Sequence, residues 1–150
     1  MSEHERDPLV MRSVRLPAQR ERYFDLVNVV EAFGHETDIE RRPEWHEFLT
    51  AVSEIGANVL SYAYPVGNMG EIELDLLRYP DRIEARLRDW GAPFVEQPVT
   101  SPPAGDDLLD SILDLEESGR GLAIARLALS SIGYERASDG TNTWTLVKAL

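Results

Sequence analysis

Apolar residues return along this chain at two spacings, steps of three and four in some stretches and steps of two in others, and the switches between them mark the elements. Val10 to Leu16 sets β-branched and apolar residues between arginines, the pattern of a half-exposed first strand that ends at Pro17. From Ala18 to Phe33 the spacing becomes helical. Tyr23, Leu26, Val27, Val30 and Phe33 form one stripe, and Gly34 stands where it would stop the helix. The charged segment His35 to Arg42 reads as a loop. A second helix begins near Pro43, a residue tolerated in a first turn, and carries Trp45, Phe48, Leu49, Val52, Ile55, Val59 and Leu60 on its buried side.

Pro65, Gly67, Asn68 and Gly70 form a turn cluster. Beyond it Ile72, Leu74 and Leu76 alternate with acids, and Ile83, Ala85 and Leu87 alternate with charged residues after the turn Tyr79-Pro80-Asp81, which predicts a hairpin of half-buried strands. Ala92 to Gly105 contains four prolines and reads as a long loop, followed by a short helix over Leu108 to Leu115. Ser118-Gly119-Arg120-Gly121 then leads into a helical run from Leu122 to Ile132. The end is β again, Tyr134 to Ala137 and Trp144 to Val147 around the hairpin signal Asp139-Gly140. The order β, α, α, β, β, loop, α, β, β predicts an α+β two-layer sandwich, a mostly antiparallel mixed sheet with its helices on one face.

Length and charge narrow what such a sandwich could do. The 150 residues suit a single domain over 1–150, with the polar start, 1–8, expected to be disordered. No apolar run is long enough to span a bilayer and nothing at the start resembles a secretion signal, so the expected location is cytoplasmic, with no membrane partner. The absence of cysteine excludes disulfides, thiolate metal sites and a cysteine nucleophile. His4, His35 and His46 have no metal-ligand spacing. A formal net charge of -12 argues against nucleic acid as a partner and for protein. Such a chain can hold a polyphosphate only with local help from backbone N–H groups, a cation or a few placed arginines.

Three constellations meet that requirement. Glu54 and Asn58 lie one turn apart on one face of the second helix, where a carboxylate can deprotonate a hydroxyl while an amide oxygen ligates a hard cation such as magnesium. A polar helix face looking at water shows the same spacing. Asp89-Trp90-Gly91 closes the hairpin's second strand. An acid there can accept from an exocyclic amine such as that of adenine, with Gly91 allowing close approach, although a plain strand-ending turn has the same residues. At the start of the late helix, Gly119 and Gly121 permit a phosphate to approach free N–H groups, or give no more than a flexible start.

Occurring together and in this order, with the proline-rich loop between the second and third, these motifs resemble the superfamily of gyrase, a heat-shock chaperone, histidine kinases and mismatch-repair ATPases, known as GHKL. Within it the chain is most similar to the anti-sigma-factor serine/threonine kinases, through Leu49 to Asn58, Ala63-Tyr64, Arg88 to Gly91, Ser118 to Leu122 and Trp144 to Lys148. The opening Leu16-Pro17-Ala18 fits as well. The resemblance covers nearly the whole chain and implies a histidine-kinase-like ATPase fold of Bergerat type that binds ATP and Mg2+. It implies Glu54 as general base, Asn58 as magnesium ligand, Asp89 as adenine reader, and Gly91, Gly119 and Gly121 as a backbone cradle. Arg120 would sit near the phosphates, Thr143 near the adenine, and residues 92–118 would form an ATP lid.

The implied function is that of a Mg-ATP-dependent protein kinase that acts as an anti-sigma factor in a partner switch and phosphorylates a serine or threonine of an anti-sigma antagonist. Its partners would be a sigma factor and that antagonist, and homodimerisation is common in the family. One position departs from the pattern, because Tyr62 stands where members often carry histidine, and tyrosine cannot supply an imidazole. The acidic run through Asp106, Asp107, Asp110 and Asp114 reads as a solvated face. Tyr62 and that run together motivate the alternative, a nucleotide-binding anti-sigma or adaptor module with little or no kinase activity.

Overall fold

The structure is a computed structural model and describes residues 7–65, 70–95 and 117–150. The expected disorder at 1–6, the turn residues 66–69, the helix over 108–115 and most of the expected lid lie outside the described residues. The elements are β1 (Val10–Pro17), a 3-10 turn (Arg20–Arg22), α1 (Tyr23–Glu36), α2 (Pro43–Tyr62), β2 (Glu71–Arg78), β3 (Arg82–Asp89), α3 (Glu117–Ala128), β4 (Ser131–Arg136) and β5 (Asn142–Ala149). The strands form one five-stranded sheet in the order β1-β2-β3-β5-β4, and each neighbouring pair is antiparallel.

The period-two pattern decides which face of this sheet the helices cover. Ile72, Leu74 and Leu76 of β2, Ile83, Ala85 and Leu87 of β3, and Trp144 and Leu146 of β5 join one core with Leu26, Val30 and Phe33 of α1 and Phe48, Val52 and Ile55 of α2. Each Val, Leu, Ile or Phe side chain among these, taken out of water, contributes about 1.5–3 kcal/mol. The intervening residues build the opposite face from paired charges. Ser13 Oγ donates to Asp75 Oδ1 at 2.7 Å, Arg88 Nη1 donates to Asp75 Oδ2 at 2.7 Å, and Arg15 pairs with Glu73 at 3.2 Å. Asp75 is buried there, and these partners offset the desolvation of its charge. Two layers follow, as the sequence pattern predicts.

Boundaries differ from the expectation at both ends of the first and the last helix. The first helix starts at Tyr23, after the 3-10 turn, and runs through Gly34 to Glu36. Gly34 is no stop signal. A Cβ there would stand 2.2 Å from a ring carbon of Trp45, so the glycine lets α2 pack its indole against the backbone of α1. The last helix ends at Ala128 and Ile132 belongs to β4, because Ser130 N–H donates to Val147 O at 2.9 Å and draws the chain into the sheet. It begins at Glu117, which puts Gly119 and Gly121 inside its first turns.

Candidate nucleotide site

Helix α2 is the rail on which the candidate residues are mounted. Pro43 occupies its first turn, preceded by Arg42 in an extended conformation, and its buried stripe turns the helix so that Glu54 and Asn58 emerge on a partly exposed side. Helix α3 packs against that side at Gly121. A Cβ at this position would stand 3.0 Å from Glu54 Oε2 and 3.3 Å from Asn58 Nδ2, so both polar groups converge on one small residue. Arg120 precedes it, partly buried, and Gly119 lies in the same opening turns of the helix.

About 7–8 Å further along the helix axis, by the rise of five residues, α2 ends against the turn that follows β3. Ala92 N–H donates to Ala63 O at 2.6 Å. Gly91 passes so close that a Cβ would fall 1.9 Å from the same carbonyl oxygen, which makes glycine a requirement of this approach. Tyr64 closes the junction. Its hydroxyl donates to Glu71 O at 2.7 Å and accepts from Trp90 N–H at 3.0 Å.

Asp89, the last residue of β3, is buried at 3% exposure. Its Oδ1 accepts from Gly91 N–H at 2.9 Å and from Asn142 Nδ2 at 2.8 Å. Both bonds fall on the same carboxylate oxygen. Asn142 stands directly across the ladder from Asp89, whereas Thr143 stands across from Arg88, on the strand's other face. Thr143, expected near the adenine, thus stands one residue from the position that faces Asp89, and one residue in a strand exchanges the faces.

The structure thus brings Glu54, Asn58 and Gly121 into one cluster and Asp89 and Gly91 into a second, joined by α2. Tyr134, Arg136 and Asn142 were not singled out by sequence reasoning, and Tyr64 entered only as part of the resemblance, with no role assigned. Counting back by two from the core residue Trp144 places 142 on the helix-facing side, and that parity was the available signal for Asn142.

Comparison with known proteins bears directly on this arrangement. Residues 16–148 match the histidine kinase-like ATPase domain. The chain belongs to that family. An ATPase family implies a nucleotide as the ligand class. In fold, the histidine-kinase-like ATPase domain is similar to a chain in the crystal structure of the SiaB-SiaC complex from Pseudomonas aeruginosa. That match has 16% identity and a TM-score of 0.53, and covers 98% of this chain and 93% of the other. No curated protein matches it significantly.

Proposed function

We propose that this domain is a Mg-ATP-dependent serine/threonine protein kinase that serves as an anti-sigma factor in a partner-switching module and phosphorylates an anti-sigma antagonist. The observation that carries the reading is the convergence of Glu54 and Asn58 on Gly121, a carboxylate and an amide one turn apart against a helix that offers no side chain at that point. These residue types fit a nucleotide with its cation. Gly91 and Gly121 are positions that a Cβ would crowd, and a chain of net charge -12 needs a cation beside a triphosphate.

In this reading the amide oxygen of Asn58 would hold Mg2+, which supplies charge neutralisation on the phosphates when bound. Glu54 accepts the proton of the incoming serine or threonine hydroxyl, one turn from that ligand. Backbone N–H groups of the first turn of α3, that of Gly119 among them, face the phosphates with the positive end of the helix dipole, Gly121 leaves Glu54 and Asn58 uncrowded, and Arg120 adds charge nearby. Asp89 accepts from the exocyclic amine of adenine, and Gly91 lets the ring approach the backbone. The neighbour of similar fold was crystallised as a complex of two proteins, which supports a protein as the counterpart of this chain.

Radiolabelled ATP with magnesium and an antagonist-type partner provides the test. Transfer of the γ-phosphate to a partner serine or threonine that is lost in Glu54→Gln, with ATP binding kept, is the expected result. Absence of transfer under saturating ATP and partner would overturn it. Tyr62 supports a second reading. It is exposed at the end of α2, where a histidine is common in the family, and presents a phenol in place of an imidazole. In that reading the domain binds ATP and captures a sigma factor or adaptor partner with little phosphotransfer, and stable capture without transfer would establish it.

A further inference from the structure

Asn142 is fully buried, at 0% exposure, and is the most heavily bonded polar side chain beside the candidate base site. Its Nδ2 donates to Asp89 Oδ1 at 2.8 Å, to Gly91 O at 3.1 Å and to Ala92 O at 3.3 Å. Its Oδ1 accepts from Tyr134 OH at 2.9 Å and from Arg136 Nη1 at 2.9 Å. The surroundings dictate the orientation of the amide. A flip would set its oxygen against three acceptor oxygens and its NH2 against a guanidinium that only donates.

Resting on the nucleotide-binding reading above, we propose that Asn142 is a positioning residue that sets base selectivity by fixing the carboxylate of Asp89. Two donors on Oδ1, from Gly91 N–H and Asn142, hold the plane of the carboxylate and direct its other oxygen to a single acceptor position. An acceptor so held bonds a 6-amino purine and opposes the 6-oxo group of guanine, where two oxygens would meet. Arg136 and Tyr134 lock the amide from behind. Arg136 Nη1 also donates to Gly91 O at 3.1 Å, so the same guanidinium steadies the turn and the amide that reads onto it. Asn142 need not touch the nucleotide, because its effect passes through Asp89.

The test compares three ligands, ATP, GTP and purine riboside triphosphate, which carries hydrogen in place of the 6-amino group, on the full-length wild type and on Asn142→Leu. Wild type should prefer ATP to the 6-hydrogen analogue by about tenfold, the worth of one hydrogen bond to a charged acceptor. Asn142→Leu should lose about tenfold in ATP affinity and leave the analogue's affinity unchanged, so that the preference disappears. A preference retained in Asn142→Leu, or an equal loss for both ligands, overturns the inference while the nucleotide-binding reading stands. Wild type that binds none of the three overturns both. Should Asn142→Leu fail to fold, the double variant Tyr134→Phe/Arg136→Met keeps the amide but removes both donors to its oxygen. It should lose part of the preference, and full wild-type preference in it overturns the inference.

Discussion

A Cβ on Gly121 would stand 3.0 Å from Oε2 of Glu54, nearer than side chains ordinarily approach, and 3.3 Å from the amide nitrogen of Asn58. Helix α3 therefore meets the polar face of α2 at a point where only glycine leaves both side chains undisturbed. Substituting alanine has two opposed effects. It favours the helix by about 0.5–1 kcal/mol, since glycine in a helix interior is costly, and it displaces Glu54 and Asn58 by a few tenths of an ångström. The expected outcome for Gly121→Ala is a melting temperature near that of wild type with ATP affinity reduced several-fold, read by thermal denaturation and calorimetric titration. Unchanged affinity would remove Gly121 from the site.

Gly91 is constrained differently, because the atom in its way is backbone. The Ala63 carbonyl oxygen would lie 1.9 Å from an added Cβ, and that oxygen already accepts from Ala92 N–H at 2.6 Å. Neither partner is a flexible side chain that can rotate aside. Gly91→Ala should destabilise the protein by about 1–3 kcal/mol, the usual cost of overpacking a tight contact, which lowers the melting temperature by roughly 2–4 °C for each kcal/mol in a chain of this size. Differential scanning calorimetry of the variant reads this directly, and a melting point within one degree of wild type would contradict the contact.

The sheet and the long helix were legible because their patterns are local. Alternation over 72–76 and 83–87 and the stripe from Trp45 to Leu60 belong to single elements, and the structure forms those elements there. The misplaced boundaries depend on partners distant in sequence. Gly34 resembles a helix stop until the indole of Trp45 is known to cover it, and Ile132 continues a helical spacing until Ser130 bonds to Val147. The site was legible in the same proportion. Glu54 and Asn58 share a helix face by spacing alone, whereas placing Asn142 against Asp89 requires the register of β5 against β3, which couples residues more than fifty positions apart. The contact of Gly121 with Glu54 likewise exists only once α3 is docked on α2.

Tyr64 offers a test of how the end of α2 is tied to the sheet. Its hydroxyl bridges Glu71 O and Trp90 N–H, at 2.7 and 3.0 Å, so one atom joins the start of β2 to the turn after β3. Tyr64→Phe keeps the ring that packs beside Gly70 and Gly91 and removes both bonds. A loss of about 1–2 kcal/mol in unfolding free energy is expected, since each neutral hydrogen bond contributes about 0.5–1.5 kcal/mol. Urea denaturation monitored by tryptophan fluorescence checks it. A midpoint equal to that of wild type would show that water replaces the hydroxyl without loss.

The β4–β5 turn carries its own pH dependence. Asp139 Oδ1 accepts from Thr141 N–H at 2.9 Å, and the bonds from Thr141, its backbone N–H first, hold the Asp139 carboxyl below its ordinary value. A carboxylate whose folded value is depressed contributes stability above its unfolded value, about 3.9, and that contribution is lost as the pH falls through the lower folded value. Asp139→Asn should therefore lower stability slightly at neutral pH, where the exposed side chain is largely screened, and flatten the fall on the acid side, so that the two curves converge below the folded value. Gly140 next to it has φ of +93°, which alanine adopts only under strain, so Gly140→Ala should lose about 1 kcal/mol or more at every pH. Denaturation midpoints of both variants from pH 2 to pH 7 separate the two effects, one that disappears in acid and the other uniform; a curve for Asp139→Asn that runs parallel to wild type over the whole range would show that this carboxylate does not couple to the turn.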